Sequence, residues 1–482
     1  MRRWTQVWWK RLGMAAAVLV VIVACLAYVG WYKFFREEPQ PPFKTADARF
    51  KYGSVGAEND SGLPYWIFVI LPRMFPEHLP GPGGYRAFGV PWEEGQELPI
   101  GFTKKVVGFP RVANNCAVCH TASYRTEQNA TPMYVPAGPN HTANIQALLR
   151  FFTRCAMDVR FNPDDILAEI ATIHRLSWLD KLLYRYLIIP RVKKELLHRR
   201  DQFTWMERPG WPHWGPGRDD PMNLTKYFMT NLPVDNSVGN ADFPAIWNLK
   251  VRDGKPLQWD GSTPLTLAVL TDSALGLGAR PTAWFKEEMK WLEGYLRNLP
   301  PPKYPFDVNA QLAASGKPAF DRACASCHAP GPGSRLGTLI EIGEIGTDRN
   351  RLETWTQAGA DAANQVRTRL GVNYANMTKT NGYIAVPLDG IWLRAPYLHN
   401  GSVPNLRDLL GPLEKRTKVF YRGDDVYDPR NVGFVSNVAT ENGRAFFRFD
   451  TRERGNGNQG HRYGVDLSAK EKDALLEYLK TL

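Results

Sequence analysis

The chain has 482 residues, a length that excludes a single small module and is typical of two or three domains. Its hydrophobic content of 44% is enough to build globular cores. The net charge of +12 is compatible with an anionic partner, such as a lipid surface or an acidic redox protein, and equally with a well-solvated surface that binds no such partner.

The first element is a membrane-targeting segment at residues 1–36. An uncharged, mostly apolar run at 12–32 follows a basic flank. The basic residues of this flank are Arg2, Arg3, Lys10 and Arg11. About 20 apolar residues span a bilayer as a helix, whereas the apolar core of a cleaved signal peptide has only about 7–15. The segment therefore predicts an uncleaved, single-pass anchor in a bacterial inner membrane, with the body of the chain in the periplasm.

A lipoprotein is the alternative for this segment, because residues 22–25 resemble a lipoprotein cleavage box ending at Cys25. The residues after Cys25 stay apolar, which is unusual for a lipoprotein, so the anchor is the preferred interpretation. With either type of membrane attachment the body of the chain lies outside the cytoplasm, so nucleic acid is not an expected partner.

A Pro-rich linker at 37–45 is predicted to lift the body off the membrane. The first globular region then runs over 46–299. The pentapeptide CAVCH at residues 116–120 of this region recurs as CASCH at 324–328.

C-x-x-C-H is the attachment signature of c-type haem. Two thiols add to the two vinyl groups of the porphyrin, and the adjacent imidazole reaches the iron. We therefore expect Cys116 and Cys119 to bind one haem c, with His120 on its iron. Haem c is attached outside the cytoplasm in bacteria, which agrees with the predicted anchor.

The second motif predicts a second haem c, bound by Cys324 and Cys327, with His328 on its iron. A four-thiolate zinc site, a redox dithiol or a disulfide are alternatives for the four cysteines. These alternatives leave the two adjacent histidines without a role. Cys155 has no obvious partner and is expected to be a buried free thiol.

A basic helical insertion interrupts the first region near 161–218. Residues 164–174 and 178–200 are apolar at helical spacing, and Pro190 predicts a kink in the second stretch. The second stretch is strongly basic, which favours a helix on the membrane surface or a core-packed helix with a solvated basic face.

A second linker, at 300–306, is rich in proline and separates the first region from residues 307–482. Both regions end in similar segments, with Leu, Tyr, Leu and Leu at matching places in 288–299 and 471–482. Each segment is predicted to pack across the helix that carries its C-x-x-C-H. The fold class expected is mainly α, with two tandem cytochrome c-like haem domains and long loops after one transmembrane helix.

Four stretches carry a resemblance to a known family. They are GIWLRAPYLHNGSVP at 390–404, FPAIWN at 243–248, WDG at 259–261 and GNGNQGHRYG at 455–464. They resemble the bacterial di-haem cytochrome c peroxidase/MauG superfamily, and within it the RoxA-like (rubber oxygenase-like) branch. The resemblance covers roughly 115–482, without the basic insertion.

The resemblance implies that two haems have different roles. The haem on His120 would react with hydrogen peroxide or dioxygen, and the haem on His328 would transfer electrons. Peroxidases of this superfamily often use a Met after the P-Y-x-H motif as the sixth ligand, but here the last Met is Met377. In RoxA-like proteins a His near the C-terminus takes that place, and His461 matches this context. His399, then Met377, are the alternatives.

The family analogy also suggests Trp247 and Trp259 as candidate catalytic residues. Trp247 and Trp259 either line the first haem pocket, lie between the haems, or belong to the core. His141 is either a distal ligand or, preferably, a surface or propionate contact. Family members often hold calcium through main-chain carbonyls at the places of Arg394 and Pro396, so one calcium ion is a further expectation.

Three functions are compatible with these features. The first is a di-haem peroxidase-like or oxygenase-like oxidoreductase that exchanges electrons with a periplasmic donor or acceptor protein. The second is a non-catalytic electron-transfer cytochrome, and the third is a MauG-like oxidase that matures a partner protein. The length favours the enzyme, because two minimal cytochrome modules need only about 200 residues.

Overall fold

Helices dominate the structure, which is a computed structural model. It describes residues 2–257, 259–372, 374 and 377–482, with side chains from Trp8 onward. The α-helices are α1 (Arg2–Phe34), α2 (Ala46–Tyr52), α3 (Tyr65–Met74), α4 (Ile145–Met157), α5 (Pro163–Ile173), α6 (Trp178–Leu183), α7 (Ile189–Gln202), α8 (Pro221–Leu224), α9 (Thr266–Gly276), α10 (Ala283–Asn298), α11 (Ala310–Ala323), α12 (Ala325–His328), α13 (Ile342–Ile345), α14 (Asn350–Thr354), α15 (Gln357–Arg369), α16 (Leu406–Leu409) and α17 (Ala469–Leu479).

Short strands connect these helices. They are β1 (Glu37–Glu38), β2 (Leu63–Pro64), β3 (Phe102–Val107), β4 (Phe109–Asn114), β5 (Thr121–Tyr124), β6 (Met133–Pro136), β7 (Arg218–Asp219), β8 (Ala241–Asp242), β9 (Leu339–Glu341), β10 (Gly382–Ile384), β11 (Val419–Arg422), β12 (Tyr427–Asp428), β13 (Gly433–Phe434), β14 (Thr440–Glu441), β15 (Arg444–Ala445) and β16 (Phe447–Asp450). The largest sheet among the described residues has the order β1-β3-β4-β2, all antiparallel. Sequence reasoning did not predict this sheet.

Helix α1 is long and apolar enough to cross a membrane over Trp8–Phe34. Cys25 lies inside this helix and is exposed. The segment after α1 does not form the free spacer predicted at 37–45. Glu37 and Glu38 pair with β3, and the Gln40 side chain donates to the Lys104 carbonyl at 2.9 Å. The chain therefore passes from α1 directly onto the body.

Two helix pairs make a similar aromatic contact. Helix α17 packs on α11, where Phe320 and Tyr478 have ring centres 5.1 Å apart. Helix α10 contacts α2, where Phe50 and Tyr295 are 5.4 Å apart. Both tyrosines belong to the segments whose similarity indicated an internal repeat.

The sequence predicts that each C-terminal helix packs across the helix that carries the C-x-x-C-H motif, and the structure has this arrangement in the second region only. CASCH directly follows α11, as expected, whereas CAVCH follows strand β4. The helix that α10 contacts is α2, and strands β2 to β4 and helix α3 lie between α2 and the first motif in the sequence. The two C-terminal helices are therefore similar, but the number of residues between each partner helix and its C-x-x-C-H motif differs between the two regions.

The main buried cluster runs through both helix pairs. It joins Phe50 and Leu296 of the first pair to Phe320 and Leu475 of the second, with Trp392 among them. The predicted linker at 300–306 is packed against this cluster, since Trp392 Nε1 donates to the Pro302 carbonyl at 3.0 Å.

The basic insertion is helical and packs on a second cluster that includes Phe161, Ile166 and Ile188. A π-helical turn at Tyr184–Ile188 joins α6 to α7, whose second residue is Pro190. Proline lacks the backbone N–H that donates a hydrogen bond in a continuous α-helix, and the wider π-helical turn accommodates the missing hydrogen bond.

Candidate haem sites

Both C-x-x-C-H motifs form the same backbone turn. The amide of His120 donates to the Cys116 carbonyl at 3.0 Å, and the amide of His328 donates to the Cys324 carbonyl at 3.0 Å. The structure forms no disulfide among the described cysteines, and Cys155 is buried. The turn keeps the two cysteines and the histidine of each motif on one short, hydrogen-bonded segment, the local sequence that the haem attachment signature needs.

The alternatives of a zinc site or a redox dithiol lose support in this structure. Among the described residues, the clustered groups that could hold a metal are Glu77, His78 and Asp158, which are not motif residues. Burial also raises the pKa of Cys116 and of Cys324 to about 11, so both thiols stay protonated at neutral pH. A reactive dithiol needs the thiolate form, so these raised pKa values count against that alternative.

The two motif histidines are oriented by main-chain carbonyls. His120 Nδ1 lies 2.9 Å from the Pro244 carbonyl, and His328 Nδ1 lies 2.7 Å from the Val386 carbonyl. A carbonyl can only accept, so Nδ1 carries the proton and Nε2 is left with a lone pair for iron. Sequence reasoning missed both carbonyl partners because any residue type can supply one.

Burial also keeps these imidazoles neutral, as metal ligands must be. It lowers the pKa of His120 to about 4. It lowers the pKa of His328 as well, with a further contribution from the nearby Arg394 charge.

His461 lies opposite His328, with ring centres 6.3 Å apart. An imidazole nitrogen binds a metal at about 2 Å, so two imidazoles on opposite faces of one iron place their ring centres about 6 Å apart. Burial lowers the pKa of His461 to about 4, so this ring is neutral too. The pair therefore has the separation that bis-histidine ligation of one iron requires.

The loop that carries His461 is held by buried groups. His461 has a positive φ of 44°, an uncommon conformation for a residue other than glycine. Its amide donates to the Ile345 carbonyl at 2.8 Å, and the Arg416 guanidinium donates to the carbonyls of Gly460 and His461 at 2.8 and 3.1 Å. Arg416 is buried, and sequence reasoning missed its role in positioning this loop.

The residues considered as alternatives to His461 have other neighbours. His399 is buried and stacks on Tyr383, with ring centres 4.0 Å apart. Met377 packs in a separate apolar cluster with Met222 and Trp355. Of the three residues considered as sixth ligands, His461 is the one in ring contact with His328.

A cavity surrounds the second motif. Its lining includes Cys324, His328 and His461. Arg252 and Arg394 also line it, and the Nε atom of each is buried without a hydrogen-bond partner among the described residues. Two half-buried cations fit the two propionate carboxylates of a haem. The residues present therefore fit the group that the motif predicts.

Trp247 lies between the segments that support the two motif histidines. Its segment begins near Pro244, the acceptor for His120, and its indole N–H donates to the Asp389 carbonyl at 3.1 Å. The guanidinium of Arg394, which lines the cavity of the second motif, lies 5.3 Å from the indole ring centre. This one side chain is therefore placed close to both sites.

Trp259 also lines the cavity but has different neighbours. Its indole N–H donates to the Asp242 carbonyl at 2.8 Å, and its ring packs with Ile342 and Tyr383. The ring of Trp259 therefore contacts residues near the second motif. The family resemblance treats the two tryptophans alike, and the tertiary structure separates them.

His141 is buried, so the expectation of a surface contact is wrong, while the expectation of a propionate contact stays a prediction. It stacks on Phe434 with ring centres 3.6 Å apart, and neither ring nitrogen has a hydrogen-bond partner among the described residues. The neighbouring Asn140 amide donates to the Cys119 carbonyl at 3.0 Å, so His141 lies close to the first motif.

Comparison with known proteins adds a family assignment for one segment. A family model described as RoxA-like, cytochrome c-like matches residues 382–421. This match supports a RoxA-like family. It identifies a cytochrome c-like domain, which implies haem c, iron and electron transfer. The matched segment includes Val386, Arg394 and His399, which lie around the second motif.

Two relatives come from Sinorhizobium fredii, and both are uncharacterized proteins. The protein y4iM is 30% identical over 284 residues, which cover 50% of this chain and 64% of y4iM. The protein y4iJ is 26% identical over 550 aligned residues, which cover 92% of this chain and 85% of y4iJ. The chain thus spans less than two thirds of the length of y4iM.

Proposed function

We propose that this protein is a membrane-anchored, periplasmic di-haem cytochrome c that acts as an oxidoreductase of the peroxidase or oxygenase type. The site of His120 is where hydrogen peroxide or dioxygen reacts, and the site of His328 and His461 transfers electrons. This assignment follows the di-haem peroxidase/MauG superfamily, of which the RoxA-like proteins are one branch.

The observation that carries the proposal is the difference between the two motif histidines. His328 faces His461 at a distance suited to one iron between them. Among the described residues, the ring in contact with His120 is Phe243, a side chain that cannot bind iron, whereas His141, the sequence candidate for a distal ligand, is in ring contact with Phe434. This asymmetry supports one saturated site and one open site.

A haem with an open face supplies reactivity toward peroxide or dioxygen, and a six-coordinate haem supplies electron transfer. The chain contributes orientation and charge. The Pro244 and Val386 carbonyls hold the two imidazoles in one tautomer. Arg252 and Arg394 line the cavity of the second site, where Arg394 is also paired with Asp389 at 3.0 Å.

Electron transfer between the two sites is supported by the position of Trp247. Its indole is buried, hydrogen-bonds to Asp389 and lies against Arg394, while its own segment supports His120. An aromatic side chain in this place offers a short connection through packed atoms. We propose this role for Trp247, and a packing role near the second site for Trp259.

Membrane anchoring is supported by α1 and by the charges that flank it. The apolar run is long enough to span a bilayer, and the basic flank at the N-terminus favours a cytoplasmic start. Haem attachment outside the cytoplasm agrees with this orientation. A calcium ion near Arg394 and Pro396, as in other family members, stays a prediction.

The experiment is electron paramagnetic resonance with optical spectroscopy on the full-length protein, fully oxidised and half-reduced, with and without hydrogen peroxide. A high-spin ferric signal that peroxide alters is the expected result, because it reports an open iron. Two low-spin signals that ignore peroxide in both redox states would contradict the enzyme and indicate an electron carrier.

A further inference from the structure

Part of the basic insertion exposes large apolar side chains. Trp178, Leu182, Tyr186 and Leu187 are 74%, 44%, 67% and 52% exposed. The first three are spaced by four residues, so they form one strip along α6 and the π-helical turn. We call these four residues the apolar strip. Contiguous exposed apolar surface of this kind marks an interaction site.

The apolar strip begins where α1 meets the body. Lys33, next to the end of α1, forms an ion pair with Asp180 at 2.6 Å. Phe34 contacts Phe109, and Phe109 contacts Tyr184, with ring centres 6.5 and 6.4 Å apart. These contacts fix α6 beside the point at which the spanning helix ends.

Exposed cations accompany the apolar strip. Arg175 and Lys181 flank Trp178, and Lys194 follows on α7. None of the three forms an ion pair with another described residue. Aromatic and aliphatic side chains next to free basic residues are typical of a helix that lies in the headgroup region of a bilayer.

We infer that the apolar strip inserts into the periplasmic leaflet of the membrane that α1 spans, and that the flanking cations bind anionic phospholipid headgroups. The inference rests on the proposed membrane anchoring by α1. A second attachment beside the anchor would stop the body from rotating about α1 and would fix the orientation of the haem sites toward the membrane.

The test measures thiol accessibility in the full-length, haem-containing protein reconstituted into vesicles of phosphatidylethanolamine and phosphatidylglycerol. Single cysteines are introduced by Leu182→Cys and Tyr186→Cys in a Cys25→Ser background. Cys155 is fully buried and the motif cysteines carry haem, so the introduced thiol is the reactive one. The probe is a membrane-impermeant maleimide, which needs a thiolate in contact with water.

Two controls keep the outcomes apart. Leu370→Cys places a thiol just after α15, at a leucine that is 41% exposed and thus matched to Leu182, and reports the fraction of molecules that face the outside of the vesicle. Val20→Cys places a thiol in the middle of α1 and reports the anchor itself. The visible spectrum of each variant checks that the haem sites are intact.

The expected result is labelling at positions 182 and 186 that is about ten-fold slower than at 370, because a thiol in the headgroup region seldom ionises. Position 20 should be protected as well. If 182 and 186 react as fast as 370 while 20 is protected, the inference is wrong and the anchor stands. If 20 also reacts fast, the proposed anchor fails and the inference fails with it.

Discussion

Among individual residues, the two motif histidines show how similar sequence leads to different sites. Each follows the same turn and donates through Nδ1 to a main-chain carbonyl. They differ in the ring that lies next to each imidazole. His461 is in ring contact with His328, whereas the ring near His120 is Phe243.

The first prediction concerns the sixth ligand of the second haem. His461→Ala should remove the low-spin signal of that haem and replace it with a high-spin signal, because the imidazole that faces His328 is lost. Electron paramagnetic resonance of the oxidised protein is the measurement. His399→Ala is the matched control and should leave the low-spin signal intact, since His399 stacks on Tyr383. A low-spin second haem in the His461→Ala variant would refute the ligand assignment.

The second prediction concerns three carboxylates around the Arg125 guanidinium. Asp424, Asp425 and Glu441 all lie within ion-pair distance of it. Burial, with the charges of Glu441 and Asp425, raises the pKa of Asp424 to about 6. A raised pKa means that the folded state favours the protonated form. Stability from this group is therefore complete below about pH 4 and is lost as the pH rises through about 6.

Asp424→Asn should accordingly stabilise the protein at pH 8 and have little effect at pH 4. The pKa change sets an upper limit of roughly 3 kcal/mol, and screening reduces the expected gain to about 1 kcal/mol. Thermal unfolding at both pH values is the measurement. Asp425→Asn is the comparison and should not stabilise, because its carboxylate accepts hydrogen bonds from Ser123 and Arg125 at 2.5 and 2.6 Å. Equal effects of Asp424→Asn at the two pH values would contradict the raised pKa.

Among the secondary-structure elements, the two helix pairs explain the internal repeat. Helices α10 and α17 place a tyrosine on a phenylalanine of α2 and α11. The approach of α11 to α17 is so close that a Cβ added at Gly316 would overlap the Ala474 carbonyl. Gly294 in α10 differs, because a Cβ added there meets open space among the described residues.

The third prediction uses this difference between two helical glycines. Gly316→Ala should lower the free energy of unfolding by about 1–3 kcal/mol, because the helices must move apart. Gly294→Ala should raise it by up to about 1 kcal/mol, since alanine favours a helix over glycine. Thermal unfolding of both variants, with haem absorbance as a second probe, tests the pair. A neutral Gly316→Ala variant would argue against close packing of α11 on α17.

Across the molecule, one hydrophobic core and one tryptophan join the two regions. The main buried cluster contains residues of both helix pairs, so the regions are packed as one body. Trp247 fills the contact between them, where an added Cβ at Gly138 or Gly390 would meet its indole at 3.1 or 2.7 Å. The small residues on both sides allow the indole to approach closely.

The fourth prediction is that Trp247 carries electrons between the two sites. Trp247→Phe should slow electron transfer from the second haem to the first by about ten-fold, the equivalent of about 1.4 kcal/mol in activation free energy. Stopped-flow absorbance after mixing half-reduced protein with hydrogen peroxide is the measurement. Trp259→Phe is the control and should keep the rate, because the ring of Trp259 packs on the side of the second motif. Equal rates in both variants would remove the proposed role of Trp247.

Features whose chemistry is local could be read from the sequence alone. The haem attachment signature needs only a few consecutive residues, so Cys116, His120, Cys324 and His328 could be named directly as candidate haem-binding residues. A spanning helix depends on composition over about 20 residues, and the repeated C-terminal helices depend on periodicity. His461 was named through a family resemblance, since nothing in the residues around it demands a ligand.

Features that depend on distant segments required the folded chain. Folding brings the ring of His461 to His328, assigns the Pro244 and Val386 carbonyls to the two imidazoles, and separates Trp247 from Trp259. Folding also places two segments beside the end of α1: the residues that follow α1, and helix α6. The sequence had suggested a free spacer at the first of these segments. A main-chain carbonyl can accept a hydrogen bond whatever the side chain of its residue, so the residue type does not reveal which carbonyl will be the acceptor. Contacts between distant segments form only when the chain folds, so they cannot be identified from the local sequence.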